Sequence, residues 1–502
     1  MYKNLLNKNK TIIILITIIG FIINLPLFTK NILTADIILN TTYYNAYSWE
    51  LSLGRFGLFL LGILKSYVVI PHLELLLSLI LIGFITILLI DLFDIKNKYL
   101  KLLIGWILVI SPSVFTTLLF HYCSFAYTLS FFLSIFSIHI LWKGKNKKTK
   151  YLISGISQVL ALSIYQAYIQ VTVTLFLFLI LKKLLEKNLD YKELLKNFIT
   201  ILLSLISYFI LMKLSIALLN IDMSSYSGAN QFGIKNILNI PQEILTTYIT
   251  FFQYFRGNQI LNNTYLYNHI LNFLILILLL GIIIYKSIKK KLKVKDYLVL
   301  FTIILILPIS MNLILLIIPD TKMQLLMSSS YILLFIFFIY LIKDLKKTKY
   351  IGIILLLILS RNFIIEQYST TKTLEITYNK TYQIASNILD HINQYNYKDK
   401  IMITGNLENN DYYNNNNKNE LNNLKKLNYG FISNKSLFWE EYTNIKNGWL
   451  RFYYEHFGVD LNFVSEEEYN TILQKEEFKE MTTYPNKNSI KKIDNIIVIK
   501  IS

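Results

Sequence analysis

Asp36 and Glu50 are two carboxylates in the first polar stretch of the chain, and Arg55 follows five residues after the second. A carboxylate held beside a hydroxyl can take its proton as a new bond forms, and a guanidinium or ammonium pairs with phosphate oxygens. Lys322, in the minimal turn Asp320-Thr321-Lys322-Met323, offers a second cation. Two polar tips between apolar runs add hydrogen-bonding groups: His121, Tyr122 and Ser124 at one, Tyr165 and Gln166 at the other. Tyrosine hydroxyls and a glutamine amide suit sugar hydroxyls. Each residue also has an ordinary reading. The acids could be solvated loop residues, Lys322 a snorkelling interface lysine, and the tip side chains partners for local backbone groups. His121 has only Cys123 nearby at ligand spacing, so no metal site is expected.

The elements that must hold these groups are apolar. Hydrophobic residues make up 54% of the 502 and charged residues only 16%, against about 25% charge in soluble domains. Eleven apolar stretches can be marked: 11–28, 72–93, 102–119, 124–142, 151–164, 167–181, 197–214, 270–285, 297–319, 324–342 and 350–365. Roughly 20 helical residues cross a bilayer, and most of these runs qualify. The short pair 151–164 and 167–181 has lysines at both outer ends, which predicts a helical hairpin with its tip at Tyr165 and Gln166. A soluble single domain and a disulfide scaffold are excluded, Cys123 being the sole cysteine. The first stretch lacks a small-residue cleavage pattern and reads as a membrane helix rather than a signal peptide.

Charge orients the bundle. With the N-terminus in the cytoplasm, segments 1–10, 94–101, 143–150, 182–196, 286–296 and 343–349 hold 26 lysines. The opposite side holds seven basic residues before the last helix: Lys30, Arg55, Lys65, Lys213, Lys235, Arg256 and Lys322. This bias predicts a multi-pass protein of the plasma membrane with residues 366–502 outside. Residues 1–365 carry a net charge of +21 and residues 366–502 a net −2. The overall +19 therefore belongs to membrane topology, and no nucleic-acid partner is expected.

Two domains follow, 1–365 in the membrane and 366–502 as a small α/β domain outside it. In the tail, apolar spacing predicts a helix over 373–395, a strand over 401–405 and a closing strand near 496–501, with a solvated loop over 409–423. In the first outer loop, about 30–71, the segment from Gly54 to Ile70 predicts an interfacial or re-entrant helix. In the second, 215–269, a surface helix over 236–256 carries Phe251, Phe252, Tyr254 and Phe255, read as interface anchors.

A lipid-linked substrate, with phosphate and sugar at the membrane surface and its tail in the bilayer, suits this combination of acid, cation and apolar wall. Walker A, Gly-x-Gly-x-x-Gly and Gly-x-Ser-x-Gly motifs are absent, against a nucleotide-driven pump, a Rossmann enzyme and a serine hydrolase. Few charges lie within the apolar runs, and Pro112 and Pro308 are the interruptions that hint at broken helices.

Several pieces in order resemble a known family. An acidic first outer loop precedes Ser52-Leu53-Gly54-Arg55-Phe56-Gly57; next come Ser111-Pro112 with Phe120-His121-Tyr122, then Ser163-Ile164-Tyr165-Gln166-Ala167-Tyr168. Met481-Thr482-Thr483-Tyr484-Pro485 and Ile496 to Ile501 close the chain. The pattern is similar to the bacterial membrane glucosyltransferases of the O-antigen serotype-converting type. That resemblance implies a large multi-helix glycosyltransferase fold of the GT-C kind. The implied activity moves a hexose, typically glucose, from a polyprenyl-phosphate sugar donor to a lipid-linked or surface glycan acceptor on the outer face. The family's first-loop acid would correspond to Asp36, although Ile37 stands where members often carry a second acid. No cofactor is expected, and dependence on a divalent metal stays open. A lipid-linked glycan polymerase or ligase, and a flippase or transporter of polyprenyl-linked sugar, are the rival functions.

Overall fold

The computed structural model describes residues 2–44, 47–226, 240–256, 266–318, 321, 323–393, 399–410 and 442–502. Among them nine helices are long and apolar enough to cross a membrane, or ten when the bent pair Lys98–Ile110 and Pro112–Leu119 counts as one span. The protein is a polytopic, largely helical membrane protein. The stretch 151–164 lies in the helix Lys147–Ile164, whose first turn carries Lys147, Lys148 and Lys150 and so shortens its apolar run. It is separated from the helix Ile169–Leu185 by the tip Tyr165–Tyr168, as the lysine pattern predicts.

Local chemistry sets the ends of these helices. Pro71 occupies the first turn of Pro71–Leu92, where its missing N–H is not needed. Asn97 caps Lys98–Ile110 by accepting from the Tyr99 and Leu100 amides at 3.0 and 3.1 Å. Ser111 is extended because Pro112 follows it, and the chain bends by 49° there. Asp190 caps the 28-residue helix Tyr191–Leu218.

The chain divides into two compact units. The first comprises residues 1–25 and 42–365. Its helices pack through small residues and hydroxyls, as expected where lipid removes the hydrophobic drive for helix association. A Cβ on Gly105 would lie 2.3 Å from Ile16 Cδ1. Ser130 Oγ donates to the Ala161 carbonyl at 2.7 Å, and Ser137 and Ser154 meet at 2.9 Å. The most enclosed span is Leu325–Ile342, buried along 94% of its length.

Helix Ile240–Arg256 falls where the surface helix is expected, but its aromatic residues behave differently. Phe251, Tyr254 and Phe255 are buried within the unit, and the Tyr254 and Tyr331 rings stack at 3.8 Å. Phe252 alone of the four faces outward. Three of the expected interface anchors are therefore core residues, because Tyr331 presents a ring for them to pack against.

The second unit comprises residues 26–41 and 366–502. It includes the segment around Asp36 as well as the tail. Strand β1 (Lys400–Thr404) pairs in parallel with β3 (Ile496–Lys500), and β2 (Ile490–Ile493) pairs antiparallel with β3, giving the order β1-β3-β2. Met402, Val464, Ile472, Ile493 and Val498 form the core beneath the sheet. A capping box, Ser465 with Glu468, starts the helix Glu466–Leu473. The helix expected over 373–395 is the last part of a 45-residue helix, Thr348–Ile392, that also contains the stretch 350–365. Most of the loop expected over 409–423 lies outside the described residues.

Candidate functional site

In the first unit the Ser52–Gly57 segment is built around two glycines. Gly54 has φ +80°, and a Cβ there would meet Met212 Sδ at 2.6 Å. Gly57 lets the helix Phe56–Leu64 approach Ser163, whose Oγ would lie 2.2 Å from an added Cβ. This nine-residue helix falls within the expected interfacial segment. Backbone bonds from Tyr44 N to Tyr67 O (2.9 Å) and from Val69 N to Thr42 O (3.0 Å) close the loop and bring Tyr44 over Glu50.

Glu50 and Arg55 form one buried knot. Arg55 donates to Glu50 at 3.1 Å and to the Tyr127 hydroxyl at 3.5 Å, and its guanidinium lies 4.9 Å above the Tyr165 ring. The Tyr44 hydroxyl donates a short hydrogen bond to Glu50. Burial alone would lower the Arg55 pKa, but the Glu50 carboxylate together with the Tyr127, Tyr165 and Tyr44 hydroxyls more than offsets it, holding the guanidinium charged. Burial and the same carboxylate push the Tyr44 phenol well up. Both expected residues are thus engaged with each other. The Arg55 Nε is buried without a hydrogen-bond partner among the described residues.

The two tips are held differently. Lys65 donates to Glu74 at 2.6 Å and to the Tyr122 carbonyl at 3.0 Å, while Glu74 accepts the Phe125 amide at 3.2 Å. This fixes the turn that carries His121 and Tyr122, and the Tyr122 ring lies 4.6 Å from that of Tyr44. His121 is buried with Nε2 unpartnered among the described residues, and burial together with nearby His72 pushes its pKa down to about 4. It is therefore a neutral imidazole at physiological pH. At the other tip Gln166 donates to the Leu53 carbonyl at 2.6 Å and to the Tyr208 hydroxyl at 2.9 Å, and Tyr208 donates to the Gly54 carbonyl at 3.0 Å. These groups form the polar end of an apolar cleft lined by Leu53, Leu162, Leu205, Met212, Met223 and Ile317. Tyr44, Tyr127 and Tyr208 are the members that the sequence did not single out; the positions of Tyr127 and Tyr208 within apolar runs were the hint of buried hydroxyls.

In the second unit Asp36 lies in the short helix Ala35–Ile38, capped by Thr34, which accepts the Ile37 amide at 3.3 Å. The Asp36 carboxylate has no hydrogen-bond or ion-pair partner among the described residues, and burial raises its pKa. It is a half-buried, uncommitted acid. Lys322 lies outside the described residues. Among the described residues no group of three or more His, Cys, Asp or Glu side chains is placed to hold a metal ion.

A family model for glucosyl transferase GtrII matches residues 25–341. The chain belongs to the GtrII glucosyl transferase family. This GtrII-family chain is therefore a membrane glycosyltransferase, with a sugar donor and an acceptor as its substrates. The match contains Asp36, the Glu50–Arg55 knot and both tips; the tail motifs Met481 to Pro485 and Ile496 to Ile501 lie beyond it. No curated protein and no solved structure matches the chain.

Proposed function

We propose that the protein transfers a hexose, glucose by its family, from polyprenyl phosphate to a lipid-linked or surface glycan on the outer face of the plasma membrane. The N-terminus is then cytoplasmic and residues 366–502 are extracytoplasmic. The acceptor oxygen bonds to the anomeric carbon as the bond from that carbon to the phosphate oxygen breaks. Polyprenyl phosphate leaves with the electron pair, and the acceptor proton passes to Asp36. The single observation that carries this reading is the Asp36 carboxylate, half-buried, without a partner among the described residues and raised in pKa by burial, the condition of a proton acceptor rather than of a structural acid.

Other residues take supporting parts. Gln166, Tyr165, Tyr122 and His121 are the proposed hydrogen-bonding groups for sugar and phosphate oxygens. The apolar cleft ending at Gln166 and Tyr208 is the proposed contact for the first part of the isoprenoid chain. Lys322 is the proposed phosphate cation, since Glu50 already answers the charge of Arg55.

Purified protein in vesicles, supplied with radiolabelled polyprenyl-phosphate glucose and a lipid-linked glycan, tests the proposal. The expected product is the glycan enlarged by one hexose. Movement of the labelled donor across the bilayer without a new glycosidic bond would make it a flippase instead. Joining of whole glycan units would make it a polymerase or ligase.

A further inference from the structure

The second unit contains both Asp36 and the tail, and the contacts between them are specific. Helix Tyr442–Phe457 packs on the short helix Ala35–Ile38. At the end of the Asp36 segment, the Thr41 hydroxyl donates a short hydrogen bond to Glu455. Glu455 is itself held by Arg451 at 3.3 Å, one turn earlier on the same helix. At the other end, Lys30 pairs with Glu375 at 2.9 Å, and Lys372 pairs with the same carboxylate at 3.0 Å. Between these tethers Asn40 Nδ2 donates to the Asp36 carbonyl at 2.8 Å. The segment that bears the uncommitted acid is thus tied at both ends to carboxylates of the tail.

We infer that Glu455, acting through Thr41, is a positioning residue for Asp36, so that the C-terminal domain serves the chemistry as a brace for the loop that carries the acid. The inference rests on the role given to Asp36 above. The two tethers are unequal. Lys30 is half exposed, and an exposed pair contributes little, whereas Thr41 is partly buried where its hydroxyl meets Glu455. A general acid or base that drifts by a fraction of an ångström loses rate without losing substrate affinity, so the expected signature is a fall in kcat at nearly constant KM.

Thr41→Val is nearly isosteric and removes only the hydroxyl. It is expected to lower kcat for hexose transfer from polyprenyl-phosphate glucose about tenfold, with KM within about twofold of wild type. Thr41→Ser, which restores the hydroxyl, should recover the rate. Glu455→Ala should match Thr41→Val, and the double variant should be no worse than either single one. A second readout needs no turnover: the reactivity of Asp36 in the full-length protein toward a water-soluble carbodiimide, followed by peptide mass spectrometry. It should rise severalfold in Thr41→Val and Glu455→Ala and stay at the wild-type level in Thr41→Ser. Unchanged carbodiimide reactivity in both Thr41→Val and Glu455→Ala overturns the inference. So does wild-type kcat in those variants. Absence of transfer by the wild-type protein would instead sink the proposed function, with the reactivity experiment still deciding whether Glu455 positions Asp36.

Discussion

The two acids of the first outer segment are alike in sequence and opposite in circumstance. Glu50 is buried in an ion pair with Arg55 and accepts from Tyr44, and Arg55 in turn reaches the Tyr127 hydroxyl and the Tyr165 ring. Asp36 is half-buried with a carboxylate that nothing answers among the described residues. An acid whose charge is already matched by a buried cation serves architecture, while one left without such a partner in a partly dry setting keeps its proton affinity free for a reactant. Counting acids in a loop therefore does not identify a base; the partner of each acid does.

The sharpest way to break this contrast is to exchange the carboxyl groups for amides. Asp36→Asn should lower transfer by about 10²–10⁴-fold, the usual contribution of a general base, with protein level and melting temperature unchanged. Glu50→Gln should do the reverse. It leaves the Arg55 charge without its partner, a loss of about 3–5 kcal/mol, visible as reduced yield and earlier melting in detergent, while the molecules that do fold keep transferring hexose.

The pH dependence sharpens the comparison. Burial raises the folded-state pKa of Asp36, so the ionised base disappears as pH falls through that raised value. The acid limb of the kcat/KM profile should lie above the ordinary aspartate value of about 3.9. The linked effect on stability has a definite sign. The native state holds this proton more tightly than the unfolded chain, so the contribution is present at low pH and lost as pH rises through the folded value. A limb at or below the ordinary range would remove Asp36 from the proton transfer. The smallest expected effect belongs to Tyr208→Phe, which deletes the hydroxyl between Gln166 and the Gly54 carbonyl. It should cost about 1 kcal/mol of stability in a melting experiment and raise the KM for the lipid donor.

Much of the fold was legible because its signals are local. Apolar runs and lysine clusters marked the helices, and the Tyr165–Gln166 tip emerged from charge alone. Both β1 and β3 were visible as short β-branched runs. What the sequence hid was partnership. Glu50 and Arg55 are five residues apart with a helix break between them, a spacing that regular periodicity does not pair. The link from Thr41 to Glu455 spans 414 residues. The long helix Thr348–Ile392 looked like two elements because its apolar character fades after residue 365, yet Ser369, Thr370, Thr373, Thr377 and Thr381 are buried along it. Hydropathy cannot register polar residues that a structure encloses. Phe251, Tyr254 and Phe255 show the converse, since aromatic residues in an outer loop suggest interface anchors until Tyr331 is seen against them.

The central claim is that Asp36, and not Glu50, takes the acceptor proton in a hexose transfer. Mass analysis of surface glycan and lipid-linked intermediates from cells expressing wild type, Asp36→Asn or Glu50→Gln at matched folded levels tests it directly. The account predicts a gain of one hexose with wild type and Glu50→Gln and none with Asp36→Asn. The same hexose appearing with Asp36→Asn at the wild-type level would contradict it.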